Sequence, residues 1–316
     1  MDKTTKLRPR KMHKVDVADL DCIYLSYDEP KKEEIWVKIQ NLVPWAKRVD
    51  GVKGSDAAHK ACADASDTDR FVLIDGDNIP YAKFFDETMD ISEEYSDCVF
   101  RWKARNVING LMYGNGGLSC WTKDFVYNMR THENSDGADE NEVEFCFDPK
   151  YLAMQNVYSD THPNGSAFHS WRAGFREGVK MCLERGTKPS LEEFEKKTFH
   201  RNFDHLLIWQ CIGRDESFGL DAMMGARFGT YLTMIEDWDH TEVQDFDEIE
   251  RIYKNEYNPL HMEHITQTLK KRLGLKIEEF TDVQSTWFKH FYVQSYFHSD
   301  IMTLEKEILK MSSPWW

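Results

Sequence analysis

The chain contains no run of the roughly 18 apolar residues that a bilayer-spanning helix needs, so none of its 316 residues read as a membrane anchor. It has no CxxC pair. Its seven cysteines, Cys22, Cys62, Cys98, Cys120, Cys146, Cys182 and Cys211, lie far apart and are odd in number. That spacing excludes a disulfide framework and a zinc finger, and it implies reduced thiols in a cytosol. The basic residues at the start are followed by no apolar stretch, so no secretory leader is expected there. Positive charge is in deficit: 40 Lys and Arg face 55 Asp and Glu, a net charge of −15 that argues against bulk attraction to nucleic acid. The exception is residues 1–14, where Lys3, Lys6, Arg8, Arg10, Lys11 and Lys14 stand against Asp2, so 6 − 1 = +5 and the remainder carries −20. Residues 1–18 read as a flexible arm, either a grip for phosphates or a solubilising tail.

With 41% hydrophobic residues, the chain has enough apolar content for a sizeable core. "DCIYLSY" reads as a strand buried on both faces, broken by Asp28, Glu29 and Pro30. "EEIWVKIQNLV" has helical spacing, "AKRVDGV" fits a short strand, and "SDAAHKACADA" starts a capped helix near Ser55. "FVLID" is the third strand. This alternation predicts an α/β fold with a mixed, mostly parallel sheet flanked by helices, and sites at the carboxyl ends of its strands. Further on, "RTHENSDGADENE" reads as a surface loop and "EVEFCFD" as a strand ending at Asp148. A helix runs from about Phe168 and closes at Gly186, and amphipathic helices fill the chain beyond Asp237. The expected division is an arm over 1–18, a catalytic domain over 19–236 and a helical extension over 237–316.

The stretch "FVLIDGDNIP" carries the chemistry. Four apolar residues deliver Asp75 and Asp77 to the mouth of a buried strand, with Gly76 letting the backbone turn. Two adjacent carboxylates repel, so the arrangement calls for a divalent cation or a shared proton. Oxygen donors select Mg2+ or Mn2+, with phosphate oxygens completing the shell. Three enzymes use such a pair: a nucleotide-sugar transferase, a phosphohydrolase with Asp75 as nucleophile, and a metal nuclease. The third-strand position favours the transferase, because phosphohydrolases and small nucleases place the pair on their opening strand. A solvent-facing Asx turn is the bland alternative.

"IYLSYDEP", "GVKGSDAAHKACADASDTDRFVLIDGDN" and "GNGGLSCWTKDF" together resemble the GT-A glycosyltransferase fold. With "SWRAGFREGVK", they are similar to phage TET-associated glycosyltransferases, which are implicated in attaching sugars to 5-hydroxymethylated pyrimidines in DNA. The resemblance spans about residues 20–235. It implies a metal-dependent transfer of a hexose from a nucleoside-diphosphate sugar, with UDP the expected carrier, to a hydroxyl, with 5-hydroxymethylcytosine in DNA as preferred acceptor. A glycan or protein acceptor is second, and location in a host cytoplasm follows if the chain is phage-encoded.

Under that resemblance, Asp75-Gly76-Asp77 is the metal-holding DxD motif and Gly116-Gly117 touches the acceptor. Ser26, Tyr27 and Asp28 meet the nucleotide, with Tyr27 stacking on its base. Lys53, His59 and Lys60 lie at a helix start that favours the diphosphate. Asn78 orients a water or sugar hydroxyl, or caps a turn. His169, with His162 as rival, supplies the third metal ligand. Arg172 and Arg176, one helical turn apart, bind phosphates or pair with Glu177. An inverting reaction needs a base, with Asp148 first and Glu144 second; a retaining one does not. Glu140 and Glu142 read as solvated. The "RDESFGLDAMMGARFGTY" segment reads as a loop and short helix lining the acceptor side, with Asp215 and Asp221 as candidates and Gly225 and Gly229 as packing residues. Trp121, Trp315 and Trp316 are candidates for stacking on an acceptor base.

Overall fold

The computed structural model describes residues 12–131, 146, 148–198 and 200–293. The first half alternates as the sequence predicts: β2 (Asp21–Ser26), α1 (Lys32–Leu42), β3 (Lys47–Asp50), α2 (Ser55–Ala65) and β4 (Arg70–Asp75). Burial of both faces explains why β4 is apolar from Phe71 to Ile74. Phe71 and Leu73 enter one core with Cys62 and Ala63 of α2, while Val72 and Ile74 enter another with Ile35 and Ile39 of α1.

The sheet then continues with β5 (Asn78–Pro80), β7 (Val99–Asn106), β8 (Met112–Thr122) and β9 (Tyr151–Thr161), giving the order β3-β2-β4-β8-β7-β9-β5. β2 pairs in parallel with β3 and β4, and β7 with β9, whereas β4–β8, β7–β8 and β5–β9 are antiparallel. The sheet is therefore evenly mixed, not mostly parallel. The β7–β8 hairpin reverses over residues 107–111, and the Gly-rich stretch Gly114–Gly117, which reads as a turn in the sequence, lies within β8.

Residues 12–18 are not part of a free arm. β1 (Met12–Asp16) pairs antiparallel with β6 (Thr88–Ser92) as a separate two-stranded ribbon. Val17 and Ile91 from that ribbon region join the core on the α1 side of the main sheet.

After β8 comes the short α3 (Lys123–Asn128), and after β9 the chain becomes helical: α4 (Ala167–Lys180), α5 (Phe194–Lys197), α6 (His200–Cys211), α7 (Gly219–Met234), α8 (Phe246–Asn255) and α9 (Met262–Leu273). A further helix covers residues 282–293. α4 ends at Lys180, before Gly186, which sits in a later turn with φ 76°. α7 is a full helix of 16 residues where the sequence suggested a loop and short helix. Residues of α4, α6, α7, α8 and α9 share one apolar cluster. The helices beyond Asp237 are thus packed with those before it, around Trp171, Phe175, Ala222 and Ala226.

Candidate functional site

β2 lies between β3 and β4, so the chain leaves it toward one neighbour and crosses back to the other. This switch point opens a crevice at the carboxyl ends of β2 and β4. Asp75 ends β4 level with Leu25 of β2. Asp28 and Glu29 follow the end of β2, so acids emerge from both strands at the same place.

The acids are held closely. A Cβ on Gly76 would overlap the Glu29 carboxylate, so that side chain lies directly on the Gly76 backbone between the two aspartates. Tyr24 Oη donates to the Gly76 carbonyl at 2.7 Å, fixing the turn. Thr161 Oγ1 donates to Asp77 Oδ2 at 3.2 Å, and the His162 amide donates to the Asp77 carbonyl at 2.7 Å. Gly117, at φ 77°, lies so close that a Cβ built on it would stand 3.0 Å from Asp75 Oδ2. Asn78 is fully buried; its Nδ2 donates to the Gly116 carbonyl, and its Oδ1 has no hydrogen-bond partner.

Burial, followed by the charges of Asp77 and Glu29, pushes the Asp75 carboxyl up to about 8. Burial also raises Asp77, against the pull of Thr161, His162 and Arg172. Glu29 is raised by burial and then by Asp77 and Asp28, although it accepts the Tyr27 amide at 2.7 Å. Asp28 goes the other way. His169 and the Arg172 guanidinium hold its carboxyl well below the usual range. Arg172 Nη1 is 3.1 Å from Asp28 Oδ2 and His169 Nε2 is 3.5 Å from the same oxygen. Among the described residues, Asp75 has no ion pair with any basic side chain.

Several predicted residues thus meet: Asp75, Asp77, Asn78, Gly116, Gly117, Asp28, Arg172 and His169. His169 faces Asp28, with Nδ1 2.8 Å from Ser166 Oγ, on the Asp28 side of the site. Tyr27 is exposed at the rim, and its carbonyl accepts from Lys32 Nζ at 2.7 Å.

Others lie elsewhere. Ser26 is buried and donates to Asp50 at 2.7 Å. Lys60 is paired with Asp56 at 2.7 Å on its own helix, and His59 packs on Trp121 with ring centroids 5.1 Å apart. Lys53 reaches Asp247 at 3.4 Å. The Arg176 guanidinium lies 4.8 Å over Phe246. Asp221 is half-buried near Tyr253 and Tyr257, whose ionisation it opposes.

Two assignments are corrected by strand direction. Trp121 pairs with Phe71 and is 1% exposed, which makes it core at the amino end of β4. Asp148 is at that same end. Lys150 donates from its amide to Asp148 Oδ1, and Val99 donates to the Lys150 carbonyl. Val99 begins β7, where Phe100 pairs with Cys120 and Cys120 with Val72. The length of β4, about 17 Å at ~3.3 Å per residue, separates Asp148 from Asp75, so it cannot act as a base there. Glu144, Glu140, Glu142, Trp315 and Trp316 lie outside the described residues.

Glu29 is the residue the sequence reading missed, having been taken as part of a strand break. The available signal was the matching of acids at the ends of two neighbouring strands. Among the described residues, no three His, Cys, Asp or Glu side chains form a ready metal cage. No described helix is long and apolar enough to cross a membrane.

No family model, curated protein or solved structure matches this chain.

Proposed function

We propose that the chain is a metal-dependent glycosyltransferase of GT-A type. It moves a hexose from a nucleoside-diphosphate sugar, UDP-linked, to a hydroxyl, with 5-hydroxymethylcytosine in DNA as the preferred acceptor. The observation that carries the reading is the pair Asp75 and Asp77 at the switch-point crevice, half-buried, with no cation against Asp75 among the described residues.

The donor set fits a hard divalent cation. Such ions are commonly held by one or two carboxylates and completed by substrate phosphates, so a three-residue protein cage is not required. Asp75 and Asp77 would hold Mn2+ or Mg2+, which supplies positive charge to a departing diphosphate. The chain's own residues prepare that position. Tyr24 fixes the Gly76 turn between the two acids, Thr161 holds the Asp77 carboxylate, and Gly117 leaves room beside Asp75. Asp28, kept ionised by His169 and Arg172, offers an acceptor for a ribose or base donor near the exposed Tyr27. Arg172, already at the crevice, is placed to meet phosphate when a nucleotide enters.

Thermal unfolding with UDP and Mn2+ tests the reading. Both together should raise Tm by mass action. The double change Asp75→Asn and Asp77→Asn should abolish that rise; an undiminished rise refutes the assignment. Mass spectrometry of hydroxymethylated DNA incubated with a panel of nucleotide sugars then identifies donor and acceptor.

A further inference from the structure

Among the described residues, only Arg185 and Phe218 are non-glycine residues with positive φ. Phe218 sits at φ 57°, ψ 14°, immediately before α7. A bulky residue adopts this left-handed conformation only where its surroundings force it. The forces are visible. Ser170 Oγ donates to the Phe218 carbonyl at 2.7 Å, and Asn164 Nδ2 donates to the Ser217 carbonyl at 3.3 Å. From the 282–293 helix, Lys289 Nζ pairs with Asp215 at 2.7 Å and Glu216 at 2.6 Å, and Thr286 Oγ1 donates to Asp215 at 2.8 Å. These contacts constrain the loop from both sides. They do not bury the ring, which is 43% exposed, with Leu220 beside it in sequence at 39%.

The loop is anchored to the segments that build the carboxylate site. Ser170 follows His169, the neighbour of Asp28, on α4. Asn164 lies two residues after His162, whose amide holds Asp77. Asn164 is itself buried, and its Oδ1 has no hydrogen-bond partner.

We infer that Phe218 is an aromatic platform for the acceptor, stacking on the face of a pyrimidine base presented to the carboxylate site. The inference rests on the transferase reading above. A chain of net charge −15 has little general attraction for phosphates, so its affinity for a nucleic acid has to come chiefly from base contacts. An exposed π-face on a backbone that Asn164 and Ser170 tie to the segments of the site supplies such a contact, because the ordering of that backbone is completed on folding.

The test is fluorescence anisotropy of the full chain with a labelled single-stranded oligonucleotide carrying one 5-hydroxymethylcytosine, at low salt and without donor. Phe218→Ala should weaken binding about tenfold, within the range that a base–aromatic stack contributes. Phe218→Trp should retain wild-type affinity. Phe218→Gly should bind as weakly as the alanine variant yet unfold at a higher temperature, because glycine accepts this backbone without strain. A purely structural role would not divide affinity from stability in that way. Equal binding by wild type and Phe218→Ala overturns the inference, as does failure of the wild type to bind. Loss of affinity for methyl glucoside alone also overturns it, in favour of a glycan acceptor. If the wild type hydrolyses no UDP-sugar with Mn2+ while Phe218→Ala still loses the oligonucleotide, the transferase reading falls and the platform stands.

Discussion

Gly117 brings the backbone of β8 close to Asp75. At φ 77° it occupies a conformation that favours glycine, and a Cβ there would stand 3.0 Å from Asp75 Cβ and Oδ2. Gly117→Ala should therefore cost about 1–2 kcal/mol in backbone strain and displace the Asp75 carboxylate. The expected outcome is a lower Tm together with a reduced stabilisation by UDP and Mn2+, measured in one thermal-shift series. Gly51, at φ 74°, has nothing within 4 Å of a built Cβ. Gly51→Ala is the matched control, with strain but no loss of the ligand response. At this scale the sequence was partly legible. Apolar run, turn and acid pair identify Asp75 and Asp77 because their chemistry is local. Asp148 was misplaced because a residue's distance from a site depends on which end of a neighbouring strand it occupies. That is decided by pairing partners far away in the chain.

Two helices behind the site meet almost backbone to backbone. Built Cβ atoms on Gly174 and Gly178 of α4 would collide with the carbonyls of Ala222 and Ala226 on α7. Those on Gly225 and Gly229 would collide with the carbonyls of Trp171 and Phe175. Each helix thus offers glycines four residues apart, on one face, to the other. The clash is with backbone on both sides, so neither helix can relieve it by turning a side chain. Gly225→Ala should cost near the upper end of the ~1–3 kcal/mol typical of overpacking, lowering Tm by roughly 4–5 °C in a chain of this length. Because α4 also carries His169 and Arg172, the same change should loosen the Asp28 contacts, read as a weaker response to UDP. The strand–helix alternation up to β4 was legible because period two, period 3.6 and helix caps are local signals. The antiparallel half of the sheet, the ribbon formed by β1 and β6, and the helix seam depend on partners distant in sequence. The helix through "RAGFREG" is legible from its period, whereas "MGARFG" reads as part of a loop and short helix, and the seam its glycines form shows only once the facing backbone is known.

Across the whole molecule, the clustered acids set a pH dependence. Asp75 is raised from 3.8 to about 8, and Asp77 and Glu29 are raised as well, so between pH 4 and 8 the folded state retains protons that the unfolded chain releases. That contribution is complete below the unfolded pKa and is lost as pH climbs through the folded one. Asp28, lowered by His169 and Arg172, acts oppositely and loses its contribution only in acid. Metal-free protein should therefore show a Tm that declines from pH 5 to pH 8, with Asp75→Asn flattening the decline. Stabilisation by Mn2+ with UDP should grow over the same interval, since a cation must displace the Asp75 proton.

All seven cysteines are free and buried. Burial raises each thiol, Cys146 to about 11 and Cys182 to about 12. The native molecule is therefore doubly shielded from alkylating reagents, by access and by the scarcity of thiolate. Iodoacetamide should mark it only when a segment opens, and intact-mass spectra should jump from zero to seven adducts wherever opening is global. Intermediate masses would map which layer lets go first, with Cys22 and Cys120 reporting on the sheet, Cys62 on α2 against it, and Cys182 and Cys211 on the helical half. The chain carries its own probes of partial unfolding without a label having to be engineered.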